Sequence, residues 1–279
     1  SQHSEAGSPP LGLARIMSAL DFAAMLRAEK RKARSGAVAK PEPQQKSQQS
    51  RPPPDAATAA LDASRPRPAL QVLPGAPPTI AYAADWISEA EEAAIVAAAK
   101  RGDDWVTVRG RRLRRLGGPA GEAGFAPEPL PRWARDACAA AAASDTSSRP
   151  VPNHVLVNSY DFSKESYVLP HTDGPAYDDR TFTLSCGADA VVVFKERLKT
   201  SDIGVRAAAT RCEVLLRRRS LLAFSREAYT ECTHEIGAAP DTIGPRCANL
   251  DAANARVGDV VGRAGERVSF TLRYASGAD

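Results

Sequence analysis

His171 and Asp173 stand two residues apart in "LPHTDGPAY", on the heels of a β-patterned run, in a chain with four histidines. Side chains at i and i+2 of a strand point to the same side, so an imidazole and a carboxylate there can share one ion. In a polar turn the same two residues would only bond each other and the backbone. A third ligand has to come from a later strand. The one histidine further along is His234, in "YTECTHEI", 63 residues on. Two imidazoles and a carboxylate cover one face of an octahedron and leave three positions open, the arrangement of non-haem Fe(II) oxygenases. His154 has no carboxylate near it in sequence and precedes a strand, so it reads as structural.

Near the C-terminus, "RVSFTLRY" places Arg267 and Arg273 six residues apart. Even spacing puts both on one strand face, with Ser269 and Thr271 between them. Guanidiniums on the inner face of an apolar strand need anionic partners. A dicarboxylic acid is one, because arginine grips a carboxylate with two parallel N–H groups. On an outer face the same residues would be solvated surface. An HxD pair, a late histidine and an arginine pair, in that order, favour the oxidative metal site. A second cationic group lies upstream: Arg109, Arg111, Arg112, Arg114 and Arg115, within seven residues and with no acid between them. It reads as a solvated face or as a strip for a phosphate backbone.

The elements that must position these residues begin with the bulk of the chain. Its 279 residues suggest one or two domains. Hydrophobic content of 43% permits a core, but much of it is alanine and aromatics are only 6%, so the core should be modest. A net charge of +4 does not by itself argue for nucleic acid. Five cysteines, an odd number with no CxxC pair, read as reduced thiols of an intracellular protein, nuclear or cytoplasmic. No run approaches the roughly 18 apolar residues of a membrane span. The first apolar stretch is broken by Arg15, Asp21 and Arg27 and is no signal peptide.

Residues 1–77 read as a disordered tail rich in Pro, Gln, Ser and Ala. Within it, about 18–35, Phe22, Met25 and Leu26 share a helical face ahead of Lys30, Arg31, Lys32 and Arg34. That segment is either a solvated nascent helix or a docking helix for a protein partner joined to a basic patch. Residues 78–279 read as the folded domain. "TIAYAADWISEAEEAAIVAAAKRG" is a strand and a helix, with Ser88 and Glu91 as a capping box and Gly102 at the end. "DWVTVRGRRLRRLGG" is a strand pair about Gly110, and "LPRWARDACAAAAAS" a helix with Pro131 in its first turn. Then come short runs of Val, Leu, Phe and Thr: "NHVLVNSY", "TFTLSCG", "AVVVFKE", "CEVLLRR", "SLLAFS" and "RVSFTLRY". Helices followed by many strands argue an α+β domain built on a β-sandwich or jelly roll. Residues 197–210 and 238–265 read as loops, the second long and mobile, with a lid role open for both.

Taken in order, "PPTIAYAADWISEAEE", "GRRLRRLGG", "PEPLPRWAR", "NHVLVNSY", "LPHTDGPAY", "RSLLAFSREAYTECTHEI" and "RVSFTLRY" resemble the AlkB family of Fe(II)/2-oxoglutarate dioxygenases, most of all its sixth eukaryotic branch. The resemblance runs from about residue 70 to 274. It implies a double-stranded β-helix, with His171, Asp173 and His234 as iron ligands. It implies Arg267 on the distal carboxylate of 2-oxoglutarate, with Asn158, Tyr160 and Arg273 completing that site; Ser269 stands where bacterial relatives carry Asn. It also implies Fe(II), 2-oxoglutarate and O2 as the reacting set, and oxidation of C–H bonds, commonly of N-methyl groups that leave as formaldehyde. Gly174 and Pro175 depart from the bacterial DNA-repair pattern, which has an acidic residue at the Pro175 position. The expected substrate is therefore RNA or single-stranded DNA rather than an alkylated duplex, handled by a monomer. A protein demethylase or hydroxylase, or a low-turnover module that binds modified RNA, are the alternatives.

Overall fold

The computed structural model describes residues 60–121, 124–203, 206–238 and 241–276. The basic segment at 18–35 and most of the expected tail lie outside them. The folded part starts earlier than residue 78, however. Ala60, Leu61 and Leu73 are buried, and Gln71–Val72 forms an edge strand, β1, on β2 (Ile80–Ala83). Arg65 and Arg67 each reach Glu91 at 2.9 Å. A Pro-rich composition concealed these few anchors.

Helix α1 (Glu89–Lys100) has the expected capping box, with both reciprocal bonds between Ser88 and Glu91. The strand pair about Gly110 is β3 (Val106–Val108) with β4 (Arg111–Leu116). Gly110 takes φ +74°, and a Cβ there would meet the Glu165 carbonyl oxygen at 2.0 Å, so the turn requires glycine. A small hairpin follows, β5 (Ala120–Gly121) and β6 (Gly124–Phe125), then α2 (Arg132–Ala143).

Eight further strands make the jelly roll: β7 (His154–Asp161), β8 (Val168–His171), β9 (Tyr177–Gly187), β10 (Ala190–Glu196), β11 (Thr210–Leu216), β12 (Leu221–Ser225), β13 (Cys232–Ile236) and β14 (Glu266–Ala275). The chain passes back and forth between two antiparallel sheets. The larger has the order β1-β2-β12-β9-β14-β7-β4-β3, and the smaller β11-β10-β13-β8. This is the expected α+β jelly roll, a double-stranded β-helix backed by two helices. A short helix, α3 (Arg226–Thr230), joins β12 to β13.

The period of two sorts the side chains of β14. Val268, Phe270 and Leu272 face outward and pack with Trp133, Ala137 and Ile95 of the helices. Arg267, Ser269, Thr271 and Arg273 face inward and line a cavity between the sheets. The smaller sheet does the same: Val192, Phe194, Val214 and Leu216 look inward, while Val191 and Leu215 look out.

The outer face of that smaller sheet is covered by the segment expected to be a mobile loop. Ile243, Cys247, Ala253 and Val261 bury themselves on Val191 and Leu215. Asn249 clasps the Leu215 backbone through both its N–H and its carbonyl, each at 2.9 Å. Asp241 accepts from the Val191 N–H and from Arg263. Residues 241–265 therefore form a packed cover on the side away from the cavity, not a lid over it. The 197–210 loop contributes no residue to the cavity lining among those described. No described helix is long and apolar enough to cross a membrane.

Candidate metal and cosubstrate site

His171 closes β8 and His234 lies directly opposite it on β13, so ladder register brings the two imidazoles together. Their ring centroids are 4.2 Å apart. Asp173 follows in the turn before β9, and one donor atom from each of the three lies within 4.8 Å of the others. The set expected from sequence is thus assembled. Gly174 carries the chain out of the turn at φ +85°, and its carbonyl accepts from the Tyr229 hydroxyl of α3 at 2.9 Å.

The protonation states suit a metal. Burial, and then the neighbouring His234, push His171 down to about 3, and burial likewise lowers His234. The charge of Arg111 adds to both shifts. His171 Nδ1 meets the Leu169 carbonyl oxygen at 2.9 Å, which fixes the ring and leaves Nε2 as the ligand atom. Burial opposes ionisation of Asp173, but Arg273 and the two histidines outweigh it and hold the carboxyl down to about 2. Both of its oxygens are oriented. Arg273 Nη1 donates to Oδ1 at 2.9 Å, and Thr181 Oγ1 to Oδ2 at 2.7 Å. Neutral imidazoles and an ionised carboxylate are the donor forms a divalent ion such as Fe(II) needs.

Across the same cavity, of about 150 Å³, lies Arg267, which is 0% exposed. Its Nη2 donates to Ser185 Oγ at 3.0 Å, while Nε and Nη1 are buried without a partner. Unpartnered N–H groups on a buried guanidinium call for a carboxylate. Asn158 and Ser269 face each other in register between β7 and β14 and line the cavity beside it. Asn158 Oδ1 is also buried without a partner. Turned by half a rotation, that amide would offer its N–H2 group to an acid. Tyr160 lies opposite Arg267, its ring 5.2 Å from the guanidinium. The chemistry of these donors fits 2-oxoglutarate.

The five arginines of the upstream cluster do not form one strip. Alternation along β4 and the surrounding contacts separate them. Arg114 is structural: it pairs with Asp104 at 2.5 Å and donates to the Ala99 carbonyl near the end of α1. Arg111 is buried and lines the cavity, with Nη1 at 3.4 Å from the Tyr160 hydroxyl. Arg115 is exposed at the cavity edge. Arg112 is exposed and lies 4.8 Å over the Trp105 ring, and Arg109 is exposed on the hairpin turn at φ +49°. Applied to the cluster, the period of two would have picked out Arg111 beforehand. Thr181 and Tyr229 carried no signal, because neither spacing nor residue type marks Thr181 as the partner of Asp173 or Tyr229 as the partner of the Gly174 carbonyl. His154 is buried in β7 with Tyr177 3.5 Å from Nδ1, and holds no place in the triad, as expected.

Fold and site together define a jelly-roll protein of the two-histidine, one-carboxylate metal class. The chain belongs to the AlkB family. It is 30% identical over 209 residues to the protein named "Probable RNA/DNA demethylase ALKBH6" of Danio rerio, across 73% of this chain and 88% of that one. No family model matches it. Among solved structures it is similar to OsALKBH1, with a TM-score of 0.45 and 18% identity over 74% of this chain and 99% of that chain. It is also similar to an oxidoreductase of the 2OG-Fe(II) oxygenase family from Burkholderia pseudomallei, with a TM-score of 0.44 and 17% identity over 72% and 86%.

Proposed function

We propose that this chain is an Fe(II)- and 2-oxoglutarate-dependent dioxygenase that oxidatively demethylates nucleic acid, acting on RNA or single-stranded DNA in preference to duplex. The observation that carries it is the buried Arg267, two of its N–H groups unpartnered, in one cavity with His171, Asp173 and His234. When bound, Fe(II) and 2-oxoglutarate supply O2-dependent hydroxylation of a C–H bond, one oxygen atom going to the substrate and the other to succinate, with CO2 released; a hydroxylated N-methyl group leaves as formaldehyde. The chain's share is positioning. His171, Asp173 and His234 would hold the metal, with Arg273 and Thr181 fixing the carboxylate. Arg267, Tyr160, Asn158 and Ser269 would hold the cosubstrate, and the apolar walls of Val192, Leu216 and Phe224 exclude water.

A site recessed between two sheets cannot reach a base inside a stacked duplex; the base must be extruded or already unpaired. That supports a single-stranded substrate. The exposed Arg109, Arg112 and Arg115 are the backbone contacts this reading assigns. It places the chain in the nucleus or cytoplasm, working as a monomer, with residues 18–35 as the docking segment for a protein partner.

The test supplies Fe(II), ascorbate, 2-oxoglutarate and O2 with N-methylated RNA, single-stranded DNA, duplex of the same sequence, and methylated peptides. Succinate and formaldehyde are measured for the wild type and His171→Ala. Equal release of both from methylated RNA by the wild type alone is the expected result. Formaldehyde from peptides only would replace nucleic acid with protein as substrate. No succinate from the wild type, with salt-sensitive RNA binding that survives His171→Ala, would leave a binding module instead.

A further inference from the structure

The ladder between β9 and β14 is broken beside the candidate metal ligands. Arg273 pairs with Thr181 and Ala275 with Tyr177, so Asp178, Asp179 and Arg180 of β9 stand against Tyr274 alone. Such a bulge bends its strand and re-aims the side chains next to it. Ion pairs pin it in place: Arg149 closes on Asp178 and Asp179, while Arg180 donates to Asp145 at 2.7 Å and to the Pro150 carbonyl at 2.6 Å. The side chain it aims is Tyr177, the first residue of β9. That ring lies 4.0 Å from the Arg273 guanidinium and lines the cavity. His154 holds Tyr177 in turn, its buried ring 5.2 Å from the phenol ring and its Nδ1 3.5 Å from the hydroxyl.

Arg273 has a use for that ring. Its Nη1 donates to Asp173 Oδ1 at 2.9 Å, whereas its Nε is buried without a partner. A planar guanidinium gripped through one nitrogen can pivot about that bond. A ring stacked against it removes the pivot, and the ring's negative face favours the charge. The oxygen that Arg273 holds is also the one 4.0 Å from His234 Nε2, so it faces the other donors of the triad. We propose that Tyr177 is a positioning residue of the metal site: stacked on Arg273, it keeps the guanidinium on Asp173 and so aims the carboxylate at the ion that His171 and His234 share. The inference rests on the metal reading above and adds to it a residue that touches none of the three ligands through a hydrogen bond. The phenol ring, not its hydroxyl, is the working part.

The experiment is a Mn(II) titration of the full chain followed by electron paramagnetic resonance, which needs no turnover. Tyr177→Leu is expected to weaken Mn(II) by about tenfold, as the loss of an orienting contact around a metal ligand does. Tyr177→Phe keeps the ring and should bind as the wild type does. The same Tyr177→Leu change made in Arg273→Met should weaken Mn(II) no further, because the residue it acts through is already gone. A loss of equal size in both backgrounds would reduce Tyr177 to general support of the fold and overturn the proposal. So would wild-type affinity in Tyr177→Leu, or a loss in Tyr177→Phe as large as in Tyr177→Leu. If Tyr177→Leu does not fold, a ring-fluorinated phenylalanine placed at position 177 decides it, since it keeps the shape and withdraws the negative face. Affinity below that of Tyr177→Phe then supports the stack, and equal affinity removes it. The metal reading itself fails by a different sign: no Mn(II) binding by the wild type, or undiminished binding by His171→Ala.

Discussion

Asp173 shows how much of a metal site lies one bond away from its ligands. Its two oxygens are held by Arg273 and Thr181, and the threonine contact can be removed without altering any donor atom. Thr181→Val should lower Mn(II) affinity by about tenfold while leaving the fold intact, as losses of such orienting groups usually do. An unchanged affinity in a metal titration would show that Arg273 alone orients the carboxylate. The triad and Arg267 were legible in the sequence because each lies on a short motif with strand spacing. Thr181 was not, since it lies eight residues beyond Asp173 on β9 and only the fold of the intervening turn brings its hydroxyl onto the carboxylate. His154 makes a second prediction at this scale. Burial first, then Arg273 and Arg115, hold it down to about 3 in the fold, against about 6.5 when unfolded. Below pH 6.5 the unfolded chain takes up a proton that the folded chain refuses. Stability therefore drains as pH falls from 6.5 toward 3, and above 6.5 this group changes nothing. By pH 5 the loss from His154 is about 2 kcal/mol. Urea unfolding of His154→Leu at pH 7.5 and 5.0 should show a pH-dependent loss smaller than the wild type's by that amount; identical losses would place the acid sensitivity elsewhere.

Elements here were readable where a period was present and opaque where it was not. Six of the eight jelly-roll strands coincide with the Val-, Leu- and Phe-rich runs. The two that carry the triad histidines, "VLPH" and "CTHEI", are short and patterned weakly. The segment after β13 misled for a related reason. Its apolar residues, Ile243, Cys247, Ala253 and Val261, are spaced four, six and eight apart in a Gly-, Asp- and Asn-rich background, a pattern of neither helix nor strand. Only the outward face of β10 and β11 tells them where to go. Asn249 is the clasp, and truncating it leaves the Leu215 N–H and carbonyl unpaired beneath the cover. Asn249→Ala should cost about 2–3 kcal/mol of unfolding free energy, with the affinity for 2-oxoglutarate unchanged because the cover lies on the far side of the sheet from the cavity. A variant that lost cosubstrate affinity in proportion to stability would show instead that the cover braces the cavity wall.

At the scale of the whole molecule, the boundary of the domain is set by a few anchors that composition hides. The Pro- and Ser-rich run before residue 78 reads as linker, and most of its described residues, 60–77, are exposed or half-buried. Yet Leu61 enters the cluster beneath Trp86, Arg67 lies 4.7 Å over the Trp86 ring, and β1 covers the open edge of β2. Arg65 and Arg67 close on Glu91, the residue that also completes the α1 capping box. Burial works against its charge, but the Ser88 backbone N–H, Arg67 and the Asp62 N–H hold the Glu91 carboxyl down to about 2. Two chains, one beginning at residue 60 and one at 78, isolate what this segment contributes, since both lack everything before it. The shorter strips the Glu91 carboxylate of both guanidinium partners and of the Asp62 N–H, and uncovers the apolar surface under Leu61. It also exposes β2 as a sheet edge open to pairing with another chain. The chain from 78 should therefore melt well below the chain from 60 and aggregate on heating. Because neither the metal ligands nor Arg267 touch the segment, whatever fraction stays folded at low temperature should bind Mn(II) with undiminished affinity. Equal melting temperatures would show that 60–77 rests on the domain without supporting it, and would put the working boundary back at 78.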